Sequence, residues 1–306
     1  MSHLTAGDIS PLYTKSETTY GTPDAGDPAY YADIKGDGGS FTPTDNQNPY
    51  VARRNDSRAY NIHDYVPTFG EAGYTDVLEV RDRAGWEAIL NNAMGNTTTL
   101  GTPRLPSRTT TLLAKAGSNY NTLVYQGCKT DRLEIKADQP GGVVEFSETV
   151  LASHSRSAGT GTRPSYDPPA ALTSFPAVQW LGGVQANNTT IYPQNFRISI
   201  NNNLGRVKGW IESVGKAVTT DLVEGQLDME LSFDVWMEDL EFMRDNATAG
   251  ALKYSTLIFT LGSIQPVQLA LYGSLMYDGQ LPSLIQDKQM ETIRYRIEQM
   301  YYTIPE

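Results

Sequence analysis

The segment QLDMELSFDVWMED, Gln226 to Asp239, constrains the fold more than any other part of the chain. Every second residue is apolar: Leu227, Met229, Leu231, Phe233, Val235 and Met237. The residues between them, Asp228, Glu230, Ser232, Asp234, Trp236 and Glu238, are mostly acidic. Successive side chains of a strand point to opposite faces, so this period of two predicts one long strand with an apolar face and an acidic face. Such a strand needs a sheet that is covered on one side and open on the other.

The same alternation recurs. RLEIKAD sets Leu133, Ile135 and Ala137 against Glu134 and Lys136, and NFRISINNN sets Phe196, Ile198 and Ile200 against Arg197 and Ser199. A QPGG turn follows the first of these and leads into VVEFSETV, while TLVY breaks at Gly127. STLIFTLG, VQLALYGSLMY and ETIRYRIEQMYY supply three further strands. In TDVLEVR, Leu78 and Val80 share one face and Val77 and Glu79 the other. DRAGWEAILNNAMG breaks the rule of two: Trp86, Ile89, Leu90, Ala93 and Met94 fall on one helical face. Asp82 is placed to cap its start and Gly95 to end it. EDLEFMRDNATAG reads as a short helix ending at Gly250. No strand–helix–strand rhythm appears, and 18 Tyr, 27 Gly and 17 Pro favour strands and turns over a helical protein. The expectation is a mainly β protein: an antiparallel sandwich or barrel of about ten strands, with one longer and one short helix.

Residues 1–75 are rich in turn formers and too poor in apolar residues to close a core, so they are expected to form an extended arm with short strands. Residues 76–306 form the main β domain, with polar loop insertions near 96–120 and 153–175. A long connection, Leu204–Gly225, precedes the two-faced strand.

A net charge of −11 argues against a large basic surface for gripping nucleic acid. The single cysteine, Cys128, excludes an internal disulfide. No apolar leader opens the sequence and no run approaches the length of a membrane span, so a soluble product made in the cytosol, with no membrane partner, is expected. Catalytic constellations are lacking. His3, His63 and His154 lie far apart without metal-ligand spacing, and there is no nucleophile elbow, phosphate loop or dinucleotide fingerprint. DGGSFTPTDNQ holds Asp and Asn as calcium loops do, but lacks their spacing and closing Glu. Asp228 and Glu230 lie roughly 7 Å apart along a strand face, yet without the apolar and aromatic cleft a glycosidase needs. No enzyme, cofactor or metal is expected.

The succession of these pieces resembles the tail tube proteins of long-tailed bacterial and archaeal viruses. NFRISINNNL, a long loop, then DLVEGQLDMELSFDVWMEDLEFMRDNATAGA resembles that family's strand, Asn-rich turn, long alternating strand and short helix. TTDLVEG stands where the family has a similar approach containing a proline. YQGCKTDRLEIKADQPGGVVEFSETVLA resembles the family's Gly-opened hairpin, and LEVRDRAGWEAILNNAMG its Gly-terminated helix.

The resemblance implies a sandwich-like domain whose inner sheet joins those of neighbours into one closed sixfold barrel around a channel, with rings stacked into a tube. It implies that Asp228, Glu230, Asp234 and Glu238 line that channel while the apolar row packs on the helix and a second sheet. Six copies would carry six times −11, about −66, and a wall of like charge would leave passing double-stranded DNA unbound. Arg206, Lys208, Trp210, Ile211 and Lys216, in the long connection, are then candidates for contact between subunits or rings, being of types favoured at interfaces or among the few bases nearby. The implied partners are copies of the chain itself, a tape measure, a tail terminator and a baseplate. The implied location is the virion tail, after assembly in the host cytoplasm. A decoration, baseplate or fibre protein that binds a surface ligand through a β-sandwich remains open as the alternative.

Overall fold

A computed structural model describes residues 11–34, 41–51, 65–80, 83–95, 104–116, 119–161, 179–186, 189–211, 216–236, 254–261, 267–276 and 290–303. Strands β1 (Pro11–Ser16), β2 (Ala29–Ile34), β3 (Phe41–Val51) and β4 (Tyr65–Glu79) precede helix α1 (Arg83–Met94). Then come β5 (Arg108–Ala116), β6 (Asn119–Ala137), β7 (Glu145–Ala152), β8 (His154–Gly161), β9 (Trp180–Ala186), β10 (Thr189–Ile191) and β11 (Asn195–Asn201). A hairpin of β12 (Gly205–Ile211) and β13 (Lys216–Val223) leads to β14 (Asp228–Trp236). The chain closes with β15 (Tyr254–Leu261), β16 (Val267–Met276) and β17 (Met290–Thr303). The fold is mainly β and its named strand pairings are antiparallel, as expected.

Two curled units share one strand. In the first, β1, β2, β4, β7, β6 and β5 pair in that order and β5 returns to β1, which closes a small barrel. In the second, the order runs β6, β11, β14, β17, β16, β15, β9, β10. This sheet bends back on itself. Phe196 of β11 meets Trp180 of β9 at 5.0 Å and Phe259 of β15 at 4.9 Å, although these strands are not neighbours of β11. The Trp180 carbonyl also accepts from the Gly141 amide, 2.7 Å, which ties β9 to the turn between β6 and β7.

The 19-residue β6 passes from one unit to the other. Its first half pairs with β5 and β8, its second with β11 and β7. The bend falls at Gly127, whose φ of 65° and crowding suit only glycine: a Cβ would lie 2.8 Å from both Ser153 and the Tyr20 ring. Helix α1 sits at the seam. Trp86, Ile89, Leu90 and Ala93 are fully buried, and the Trp86 ring meets Phe146 of β7 edge-on at 4.5 Å. Burial of the Ile89 and Leu90 side chains stabilises by about 1.5–3 kcal/mol each. Gly95 ends the helix at φ 88°, its amide donating to the Asn91 carbonyl at 2.8 Å. Asp82 and the short helix expected before Gly250 lie outside the described residues.

The strand count exceeds the expected ten, since seventeen are present among the described residues. The surplus comes from polar segments that read as loops. RTTTLLAKA forms β5, HSRSAGTG forms β8 and the long connection forms β12 and β13. Thr suits a strand, and a ladder satisfies the backbone of polar residues as well as of apolar ones. Within the stretch expected as an arm, β1 lies between β5 and β2, with Leu12 and Tyr13 fully buried.

Candidate assembly surfaces

Strand β14 has the two faces its sequence demands. Met229, Leu231, Phe233 and Val235 are buried, and Asp228, Glu230, Ser232, Asp234 and Trp236 alternate with them on the other side. Leu227 departs from the inward row. Pairing begins only at Asp228, so Leu227 precedes the sheet and is 37% exposed. Met237 and Glu238 lie outside the described residues.

The neighbours of the acids are not visible in β14 alone. Pairing sets Glu230 between Ser199 of β11 and Arg296 of β17, and Ser232 between Arg197 and Arg294. Asp234 accepts from Asn195 Nδ2 at 2.6 Å and Thr292 Oγ1 at 2.5 Å. Further along the same face, Arg197 Nε lies 3.5 Å from Glu134, and Lys136 lies 3.4 Å from Glu145. The wall of like charge expected from the strand is therefore a face in which acids and bases interleave. Its column of acids is real, but adjacent columns answer it.

The hairpin β12–β13 stands apart as a two-stranded sheet. Its base is bound to the closed barrel. Arg206 Nη1 donates to the Ala152 carbonyl and Thr219 Oγ1, both at 2.9 Å, and Nη2 to the Ala72 carbonyl at 2.8 Å. Lys129 Nζ donates to the Leu222 carbonyl and to Glu224 Oε1, both at 2.8 Å. Lys208 is exposed on β12, and Trp210 and Ile211 pair in register with Ala217 and Lys216 toward the far end. Val207 and Val223 are 43% and 50% exposed. Arg206 thus serves its own chain, while Lys208, Trp210, Ile211 and Lys216 occupy the part beyond it.

A family model described as Phage tail tube protein matches residues 7–287, nearly the whole chain. The chain belongs to the phage tail tube protein family. It is therefore a structural tail component of the virion, and its keynote is self-assembly. No curated protein matches it.

This tail tube protein also buries a polar cluster. Inside the closed barrel, Arg108 Nη2 lies 2.7 Å from Glu148 Oε1, and Nη1 donates to Thr130 Oγ1 at 3.0 Å. Thr130 in turn donates to Glu148, Tyr31 donates to Glu148 Oε2 at 3.1 Å, and the guanidinium stacks 5.0 Å from the Tyr31 ring centre. Asp76 of β4 sits directly opposite Glu148 of β7, both fully buried. Neither Asp76 oxygen has a hydrogen-bond partner of good geometry, nor has Arg108 Nε. Burial, then the neighbouring Glu148, drives the Asp76 carboxyl well above its usual range, against the weaker pull of Arg108 and nearby amides. One guanidinium faces two carboxylates, so the arrangement favours a proton on Asp76. Cys128, also interior, has its thiol pushed up to about 12 by burial, which makes it unreactive. A sequence signal for the cluster existed: Asp76 shares its parity with Tyr74 and Leu78, and Glu148 with Phe146 and Val150, all buried.

Proposed function

We propose that the chain assembles into rings, sixfold in number of copies, which stack into a hollow tube that carries viral DNA into the host. The polar face of β14, with Asp228, Glu230 and Asp234, lines the bore, and Glu238 continues the row. The observation that carries this reading is the two-faced β14 in mid-sheet: its apolar side is wholly used by the chain's own core, which leaves a broad, charge-rich side for the channel. The interleaved arginines refine the electrostatics. Binding of a polyanion is driven by bases that neutralise phosphates and release counterions, and bases already matched by acids do so weakly. A charge-balanced wall then neither grips nor strongly repels DNA.

Lys208, Trp210, Ile211 and Lys216 place the hairpin against the neighbouring subunit or ring. The open edges at β3 and β10, the two ends of the strand order, are available for pairing between subunits. Tape measure, tail terminator and baseplate proteins meet the tube inside and at its ends, and assembly takes place in the host cytoplasm. Negative-stain electron microscopy of the purified protein, concentrated at several salt levels, tests the proposal. Rings or tubes with a central channel are expected. Compact single subunits under every condition would count against it.

A further inference from the structure

We propose that Arg206 and Lys129 form a latch that sets the direction of the β12–β13 hairpin before assembly, and that the latched hairpin receives a second copy of this chain on its exposed valine face. This rests on the reading of the hairpin as a subunit contact.

A two-stranded ribbon is marginal in water by itself. Here one guanidinium spans three strands, donating to Ala152 of β7, Thr219 of β13 and Ala72 of β4. Only arginine offers donors in a planar fork of that width. Lys129 supplies the second point. Its side chain is buried on β6, a costly place for an ammonium without partners. Its two hydrogen bonds go to the hairpin's exit, the Leu222 carbonyl and Glu224, with Asp221 of β13 4.0 Å away and the Tyr20 ring 5.8 Å away. Glu224 Oε1 also accepts from the Leu105 amide at 2.9 Å. Ser153 Oγ adds a bond to the Thr219 carbonyl at 2.5 Å. These bonds lie at the base and, at Thr219 opposite Lys208, half-way along the ribbon, so the ribbon is held like a lever over its near half.

The outward side carries Val207 and Val223, 43% and 50% exposed, with Asp221 paired to Val207 on the same face. Exposed aliphatic side chains on one face of a ribbon are favourably covered when a partner docks there. In a tube built by one family of subunit, the neighbour repeated along its length is another copy. A lever already ordered loses less freedom on docking than a loose one, so the latch lowers the concentration at which assembly begins.

The test uses the full chain with Arg206→Ala, Arg206→Lys, Lys129→Met and, separately, Val207→Asp with Val223→Asp. Hydrogen exchange is measured on unassembled subunits, and the critical concentration by sedimentation. Arg206→Ala and Lys129→Met should raise exchange in residues 205–223 by about tenfold or more while β5 and β6 keep their protection. Both should raise the critical concentration by a similar factor, with Arg206→Lys in between. Unchanged hairpin exchange, or a loosened hairpin with assembly undiminished, would overturn the latch. The valine pair separates the two ideas. If it leaves hairpin exchange and assembly both intact, the contact surface is wrong; if it stops assembly while Arg206→Ala does not, the latch alone fails.

Discussion

The closed barrel and the curled sheet share β6, yet they treat charge in opposite ways. The curled sheet keeps an apolar interior of Phe196, Phe233, Phe259 and Trp180 and sends its acids and bases outward. The barrel puts Arg108, Glu148 and Asp76 inside, under full burial. The barrel closes through its ladders and the curled sheet ends at β10, but closure alone does not decide the matter. The difference lies in what each interior can fill. A wide sheet folded on itself brings aromatic rings together from distant strands, whereas in the barrel tyrosines, threonines and one ion pair fill the middle. The buried pair adds little net stability over an apolar filling, but it is intolerant of losing one member.

Removing the barrel's cation should therefore have the largest effect. Arg108→Met strands Glu148 without its partner and should cost about 3–5 kcal/mol in urea unfolding. Replacing Glu148 by Met as well should recover most of that loss, because no bare charge remains. If the double variant is as unstable as the single, the cluster is more than a compensated pair. In the curled sheet, Leu231→Ala removes only packing and should cost about 2–4 kcal/mol. No second substitution among the outward charges should rescue it.

The pH dependence sharpens the contrast. Burial and then Glu148 raise the Asp76 carboxyl well above its usual range, with Arg108 opposing. The folded state thus binds a proton that the unfolded state has released. The associated stability is present in full below the ordinary Asp range and is lost as pH rises toward the raised folded value. The slope approaches about 1.4 kcal/mol per pH unit over that window. Asp76→Asn should flatten it, so the variant gains on the native chain as pH rises from acid to neutral. An identical slope in both would show that Asp76 is not the proton's site. Glu224 has the opposite sign. Burial works against its charge, but Lys129 and the Leu105 amide hold its carboxyl below the usual range. Its contribution is lost as pH falls through that lowered value, so the hairpin base should loosen in strong acid. The smallest effects belong to the outer face: Glu230→Gln or Arg296→Gln should change stability by no more than about 1 kcal/mol, as solvated pairs do.

Alternation made the curled sheet legible from sequence. Met229 to Val235, Phe196 to Ile200 and Leu133 to Ala137 each show one face with period two, and each face is buried. Helix α1 and its Gly95 stop were equally plain, because a helix bounded by a left-handed glycine is a local matter. The barrel was harder. β1 and β5 hold few consecutive apolar residues, and their worth comes from partners far along the chain, such as Leu12 opposite Leu112. The charge balance of the β14 face was hidden for the same reason. Arg197, Arg294 and Arg296 sit beside the acids only through register between strands tens of residues apart. The Arg206 bonds to Ala72 and Ala152 are likewise long-range, and a basic residue in a loop carries no sign of which carbonyls it will reach.

The most direct measurement is a cryo-electron microscopy reconstruction of the assembled tube at a resolution that shows side chains. The expected result places Asp228, Glu230 and Asp234 on the bore, flanked by Arg197, Arg294 and Arg296, with Met229, Leu231 and Phe233 turned into each subunit's own core. Finding that charged face on the outside of the tube, with another surface lining the channel, would contradict the proposed role of β14.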